Sequence, residues 1–164
     1  MAFRVFVLTS SDSGYRGERE DLSGPAIEEA VTSAGYTVSG RALLPDDRGM
    51  LAQKMRDVCD NDEADLLLTT GGTGFSERDC MPEATADVTE RAVPGIPEAM
   101  RADSMKITKR AMLSRAAAGI RGKTLIVNLP GSPKAVRECL DSILPTLGHG
   151  IEILRGTAHD CARK

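Results

Sequence analysis

The stretch Leu66-Leu67-Leu68-Thr69-Thr70-Gly71-Gly72-Thr73-Gly74 constrains this chain more than any other. It begins as a short apolar run bounded by turn residues, too short for a free-standing helix, and so reads as a buried strand. It ends in a glycine-rich turn. Glycine has no Cβ, so a ligand can approach the backbone there and positive φ costs little. Successive N–H groups in such a turn form a concavity that suits an anion. Arg78 and Asp79 follow in the same loop, and Pro82-Glu83-Ala84-Thr85 opens a helix, with Pro82 where its missing N–H costs little. Strand, glycine loop and helix N-terminus together predict a phosphate site. A tight structural turn is the competing reading of the glycines taken alone.

The rest of the chain alternates strands and helices. A first strand is expected from Val5 to Leu8, followed by a polar loop that runs from Thr9 to Ser23-Gly24-Pro25, a length that points to function or mobility. Ser23 or Gly24 is expected to cap a helix with Ile27, Ala30, Val31 and Ala34 on one face, stopped at Gly35. A second strand near Tyr36 to Leu44 leads into Pro45-Asp46-Asp47, and a helix is expected from Arg48 to Asn61. Glu83 to Arg91 reads as helix, Val93-Pro94-Gly95-Ile96-Pro97 breaks it, and a further helix runs to about Met105. Met112 to Ile120 is either a short helix or a strand paired to the next one through a turn at Arg121-Gly122. Thr124 to Asn128 is a strand; after Leu129-Pro130-Gly131-Ser132-Pro133 a helix carries Leu140, Ile143, Leu144 and Leu147. The tail from His159 to Lys164 is expected to fray.

This alternation predicts an α/β fold, a mainly parallel sheet with helices on both faces. Right-handed crossovers would bring four strand-end loops to one edge, carrying Asp12, Asp46, Gly71 to Asp79, and Pro130 to Ser132. The 164 residues suit one domain. Aromatics make up 3% and Trp is absent, which predicts an aliphatic core and argues against base-stacking single-strand binding. A net charge of −3 gives no general pull toward nucleic acid. No run approaches the length of a membrane span, and the N-terminal apolar run is too short for a secretion signal. Cys59, Cys80, Cys139 and Cys161 form no C-x-x-C pair, and with His149 and His159 they lack zinc spacing. Free thiols in a reducing cytoplasm are the expectation.

No Cys neighbours a His, the glycine loop lacks the third glycine of a dinucleotide fingerprint, and it lacks the Gly-Lys-Ser/Thr of a P-loop. What remains is glycine backbone, hydroxyls, arginines and separated aspartates, the equipment of phosphoryl or nucleotidyl transfer. Aspartates do not hold phosphate directly, but they hold Mg²⁺, which then bridges carboxylate and phosphate. Each residue also has a plain structural reading. Asp46 after Pro45 suits a turn or helix cap; Asp79 suits a cap or a partner for Arg78; Ser132-Pro133 suits an N-cap with proline in the first turn. Ser114 carries no signal of its own.

The motifs resemble those of the molybdenum-cofactor biosynthesis family, which includes the molybdopterin adenylyltransferases and the N-terminal domain of gephyrin. The resemblance rests on Thr69-Thr70-Gly71-Gly72-Thr73-Gly74, Arg78-Asp79 and Pro82-Glu83-Ala84-Thr85. It extends to Ser11-Asp12-Ser13, Asp21-Leu22-Ser23-Gly24 and Pro45-Asp46-Asp47. Met112-Leu113-Ser114-Arg115 through Gly119-Ile120-Arg121-Gly122-Lys123-Thr124-Leu125-Ile126 matches the family's hairpin, and Asn128-Leu129-Pro130-Gly131-Ser132-Pro133-Lys134 its last loop. Cys80-Met81 departs from a common Val-Thr, removing a possible helix cap and placing a thiol, either oxidation-sensitive or buried and inert, beside the site.

The resemblance implies a three-layer sandwich with one antiparallel strand, a single domain over residues 1–157 with a tail at 158–164, and a homotrimer. It implies Mg²⁺- and ATP-dependent adenylyl transfer to the terminal phosphate of molybdopterin, with pyrophosphate leaving. That step precedes metal insertion, with handover to a molybdenum-insertion protein. The family's important acidic positions, expected to hold Mg²⁺, fall on Asp46 and Asp79, and its active-site serine on Ser114. The loops expected to bind molybdopterin and ATP then carry Ser11, Asp12, Ser13, Gly71, Gly72, Thr73, Gly74, Arg78, Pro130, Gly131 and Ser132. The alternatives are a relative that binds molybdopterin, or scaffolds a partner, without turnover, and a nucleotide-hydrolysing domain of the competence/damage-inducible kind. The Ser-Arg and Pro-Gly-Ser-Pro segments weigh against the last.

Overall fold

The run expected at the centre of the sheet is there, buried at every position. The computed structural model describes residues 2–158; the readings made for His159 to Lys164, including Cys161, lie outside the described residues. Three strands, β1 (Arg4–Ser10), β3 (Leu66–Thr70) and β6 (Thr124–Leu129), form the parallel centre, and β2 (Thr37–Leu44) flanks β1. β1 and β3 pair from Val5 with Leu66 to Thr9 with Thr70, and β3 continues onto β6 from Leu66 with Leu125 to Thr70 with Leu129. The strand order is β2-β1-β3-β6-β5-β4, where β4 is Arg91–Ala92 and β5 is Ala118–Arg121. β5 runs against both neighbours, so among the described residues it is the one antiparallel strand of the sheet.

The helices are α1 (Asp12–Tyr15), α2 (Ser23–Ser33), α3 (Arg48–Asp60), α4 (Met81–Val88), α5 (Gly95–Ser104) and α6 (Pro133–Arg155), with a 3-10 segment at Lys109–Leu113. Their placement follows from the period-two alternation of strand side chains. Val5, Val7, Leu66, Leu68, Leu125, Val127 and Leu129 point to one face, where they pack with residues of α2, α5 and α6. Phe6, Leu8, Leu67 and Ile126 point to the other, against α3 and α4. Covering both faces lets the central strands be continuously apolar.

Several local expectations are corrected. The loop after β1 contains the short α1, whose residues carry no apolar period. α2 is not capped by Ser23 or Gly24: both lie inside the helix, and the Asp21 carboxylate accepts from Gly24 N at 3.0 Å and Ser23 Oγ at 3.3 Å. α4 stops at Val88 rather than Arg91, because Arg91 and Ala92 pair with Ile120 and Gly119. The ambiguous Met112 to Ile120 stretch ends the 3-10 segment and then enters β5, with Gly122 in the hairpin turn at φ +55°.

Candidate active site

β1, β2, β3 and β6 all run in the same direction, so their C-terminal ends share one edge. Chain order reverses about β1, whose neighbours are β2 and β3, and a crevice at such a reversal is where open α/β sheets bind ligands. The glycine turn fills that crevice. Gly71 has φ +89°, and a Cβ there would collide with the Ser10 carbonyl oxygen at the end of β1. Gly72, at φ +70°, lies against Met81 at the start of α4. A Cβ on Gly131 would lie 3.6 Å from Gly71 Cα, and Thr70 Oγ1 donates to the Pro130 carbonyl at 2.6 Å. The loops after β3 and β6 are thus joined. Ser132 caps α6 through its Oγ, which accepts from Ala135 N at 3.1 Å, with Pro133 next in the helix.

Asp46 is not a helix cap. Its neighbour Asp47 caps α3, accepting from Met50 N at 2.8 Å. Asp46 instead ties β2 to β1: Ser10 Oγ donates to its Oδ1 at 2.6 Å and Asp12 N to its Oδ2 at 3.0 Å. Asp46 N returns a bond to Asp12 Oδ1 at 2.9 Å. Asp12 also receives the Arg78 guanidinium as a two-pronged fork, 2.9 Å at each oxygen. That fork, then the Asp46 N–H, hold its carboxyl down at about 2. Arg78 therefore pairs with Asp12, not with Asp79. Asp79 Oδ2 accepts from Ser76 N at 2.9 Å and closes its own turn, while Cys80, the N-cap of α4, gives no side-chain bond. The two acids nonetheless face one bend. Asp46 Oδ1 lies 3.6 Å from where a Cβ of Gly72 would stand, and Asp79 Oδ2 lies 2.8 Å from the same point on Gly74.

Two hollows flank this bend. A polar one of about 200 Å³ is lined by Ser10, Ser11, Asp21, Gly71 and Gly131. A more apolar one of about 310 Å³ lies on the other side, lined by Thr73, Gly74, Met100, Arg101, Ser114 and Pro130. Ser11 Oγ accepts from Gly14 N at 3.0 Å and lies 3.4 Å from Ser13 Oγ. Ser114 Oγ accepts from Ala116 N at 3.3 Å, which leaves its hydroxyl proton free to donate to an anionic oxygen. All four expected segments, and Ser114 with them, lie around one rim.

Among the described residues no three His, Cys, Asp or Glu side chains group as a preformed metal cage. Mg²⁺ does not need one: it takes one or two carboxylates and fills its remaining positions with water and substrate phosphates. Asp46 and Asp79, facing a glycine cradle, suit that pattern. Cys80 is half-buried; burial, and then the charges of Asp46 and Glu83, push its thiol up, so it stays protonated and inert at neutral pH.

The sequence reading missed two polar anchors. Asn128 is fully buried; its Nδ2 donates to Thr69 Oγ1 at 3.0 Å and Thr85 Oγ1 at 2.8 Å, and its Oδ1 accepts from Ala117 N at 3.1 Å. An amide inside the apolar run Leu125-Ile126-Val127-Asn128-Leu129 was the available signal. The other is Arg115, which donates to Gly74 O at 2.8 Å and Asp79 O at 3.0 Å and pairs with Glu83. Nothing in its spacing announced this.

The sequence model of the family described as "Probable molybdopterin binding domain" matches residues 6–149. The chain belongs to this family. The chain is 41% identical over 156 residues to molybdopterin adenylyltransferase from Helicobacter pylori strain J99, covering 93% of the chain and 88% of that protein. Its fold matches the molybdopterin biosynthesis enzyme MoaB from Thermus thermophilus with a TM-score of 0.89 at 46% identity, over 94% of this chain and 97% of the other. It also matches the tungsten cofactor synthesizing protein MoaB from Pyrococcus furiosus, with a TM-score of 0.85 at 33% identity, over 94% and 98% of the two chains.

Proposed function

We propose that this chain is a molybdopterin adenylyltransferase, transferring AMP from ATP to the terminal phosphate of molybdopterin and releasing pyrophosphate. The observation that carries this reading is the convergence of Asp46, Asp79 and the Gly71–Gly74 bend on one rim, in a chain 41% identical to an enzyme of that name. The nucleophile is a phosphate oxygen, already anionic, so no strong base is required. Catalysis then reduces to alignment and charge stabilisation.

The residues divide this work. Backbone N–H groups of Gly71 to Gly74 and the capped start of α6 beside Pro130, Gly131 and Ser132 bind phosphate oxygens. Arg78 is exposed and forks onto Asp12, an arrangement that solvent screens, so a polyphosphate competes for its guanidinium. Asp46 and Asp79 hold Mg²⁺, which when bound offsets the charge that develops on the phosphates. Ser114 donates its hydroxyl proton to the phosphoryl group from the apolar hollow. The two hollows on either side of the bend seat the two heterocyclic ends of the substrates, with the phosphates meeting between them.

We place the reaction in the cytoplasm of a cell that makes the cofactor, ahead of handover to a metal-insertion partner, and in a homotrimer. Among the described residues no helix is long and apolar enough to cross a membrane. Ile107, just before the 3-10 segment, and Met112, within it, are each 59% exposed and are apolar surface that self-association would cover. The deciding assay incubates the protein with MgATP and molybdopterin and follows pyrophosphate. Release only when molybdopterin is present supports the adenylyltransferase; binding without release makes the protein a carrier; release without molybdopterin makes it a nucleotide hydrolase.

A further inference from the structure

We propose that Arg115 is the positioning residue of the glycine loop: it sets the main chain that carries Asp79 and the N–H groups at the bend. The proposal takes from the adenylyltransferase reading what the loop is for, and from the hydrogen bonds how the loop is held.

Residues 71–80 form neither helix nor strand; the bonds between Ser76 and Asp79 close a local turn, and contacts from elsewhere fix where that turn sits. Among the described residues, the exposed Arg78–Asp12 fork leads out of this loop, and the hydrogen bonds that reach residues 73–79 from other segments come from Arg115. Its main-chain N donates to Thr73 O at 2.9 Å. Its Nε donates to Gly74 O at 2.8 Å, and its Nη2 to Asp79 O at 3.0 Å. Nη1 pairs with Glu83 in the first turn of α4. One planar guanidinium therefore closes the turn between Gly74 and Asp79 and pins it to the helix that follows.

Two consequences follow from peptide geometry and charge. In a planar trans peptide the C=O and the next N–H point in opposite directions. Holding Thr73 O and Gly74 O toward Arg115 turns the N–H groups of Gly74 and Phe75 to the other side, and holding Asp79 O fixes the backbone from which that carboxylate projects. Glu83 neutralises the guanidinium, so Arg115 is committed to the loop rather than kept as a free cation for phosphate. Its chain neighbour Ser114 is set against the loop by the same Thr73 bond. A lysine could keep the Glu83 pair but not the span, because an ammonium is a point donor and the guanidinium a rigid fork.

The test is Arg115→Lys, assayed with MgATP and molybdopterin beside the wild type. The expected result is a folded protein melting within a few degrees of the wild type, a modest rise in KM for ATP, and kcat lower by about 100-fold, the usual consequence of misplacing reacting groups by about 1 Å. Combined with Asp79→Asn, the double variant should lose less than the product of the two single losses, since both act in part through one carboxylate. Wild-type kcat in folded Arg115→Lys, or losses that multiply in the double variant, would overturn the proposal. If Arg115→Lys does not fold, Arg115→Gln is read in its place; failure of both to fold would make Arg115 a structural strut only and also overturn it. If the wild type itself releases no pyrophosphate, the adenylyltransferase reading is what has failed. Hydrogen exchange at the 73–79 amides then decides: faster exchange in the variant supports the proposal, and unchanged exchange sinks it.

Discussion

Asp12 lies where two loops and one arginine cross, and its titration reports on all of them. It takes the Arg78 fork and the Asp46 N–H, which bring its carboxyl from 3.8 to about 2. A folded-state value below the unfolded one means that the pair stabilises the fold fully above about pH 4 and that the contribution is lost as pH falls through about 2. Carboxyl chemical shifts followed against pH should place the Asp12 midpoint near 2, and in Arg78→Ala the midpoint should move back toward the ordinary carboxylate range. Asp79 has a different part. Asp79→Asn keeps the oxygen that accepts from Ser76 N, so the fold and molybdopterin binding should persist while kcat drops by about 100-fold or more, as for loss of a single charge-stabilising group. Steady-state kinetics with a parallel binding titration checks both halves. Gly72 tests the cradle itself: valine at φ +70° is strained and would press on Met81, so Gly72→Val should weaken ligand binding by more than about tenfold in calorimetry. Gly72 could be singled out from sequence; the partner of Arg78 could not, since Asp12 lies 66 positions away.

At the scale of elements, the site is a set of strand ends held in register by buried polar bonds. Asn128 joins β6 to β3 through Thr69, to α4 through Thr85, and to the segment behind Ser114 through Ala117. Removing its amide takes a partner from two buried hydroxyls and from the part-buried Ala117 N–H. Asn128→Ala should therefore cost about 2–4 kcal/mol and lower the melting temperature by about 5–15 °C, measurable by differential scanning calorimetry. The central strands β1, β3 and β6 were legible because each is a short apolar run closed by turn residues. α4 and β4 were misjudged at their junction for a physical reason: Arg91 and Ala92 are exposed and carry no strand signal, and they pair only because β5 offers them a free edge. α2 shows the same limit, since its N-terminal bonds come from Asp21 outside the helix rather than from Ser23 within it.

At the scale of the whole molecule, the proposed homotrimer is expected to cover the apolar side chains of Ile107 and Met112, which are exposed in the single chain. The expected outcome is a trimer mass in sedimentation equilibrium for the wild type and dissociation in Ile107→Glu/Met112→Glu, because a buried charge without a partner opposes association. The class of fold, the strand–glycine–helix unit at its centre and the set of loops that could bind anions are all legible in the order of residues, because hydrophobic period, glycine and proline act locally. Which side chains meet is a property of the folded chain. Arg78 on Asp12, Arg115 on both ends of the Gly74–Asp79 turn, and Asn128 across two strands and a helix are pairings between distant positions, and charge or hydrogen-bonding capacity does not name its partner until the sheet order has brought the two within reach.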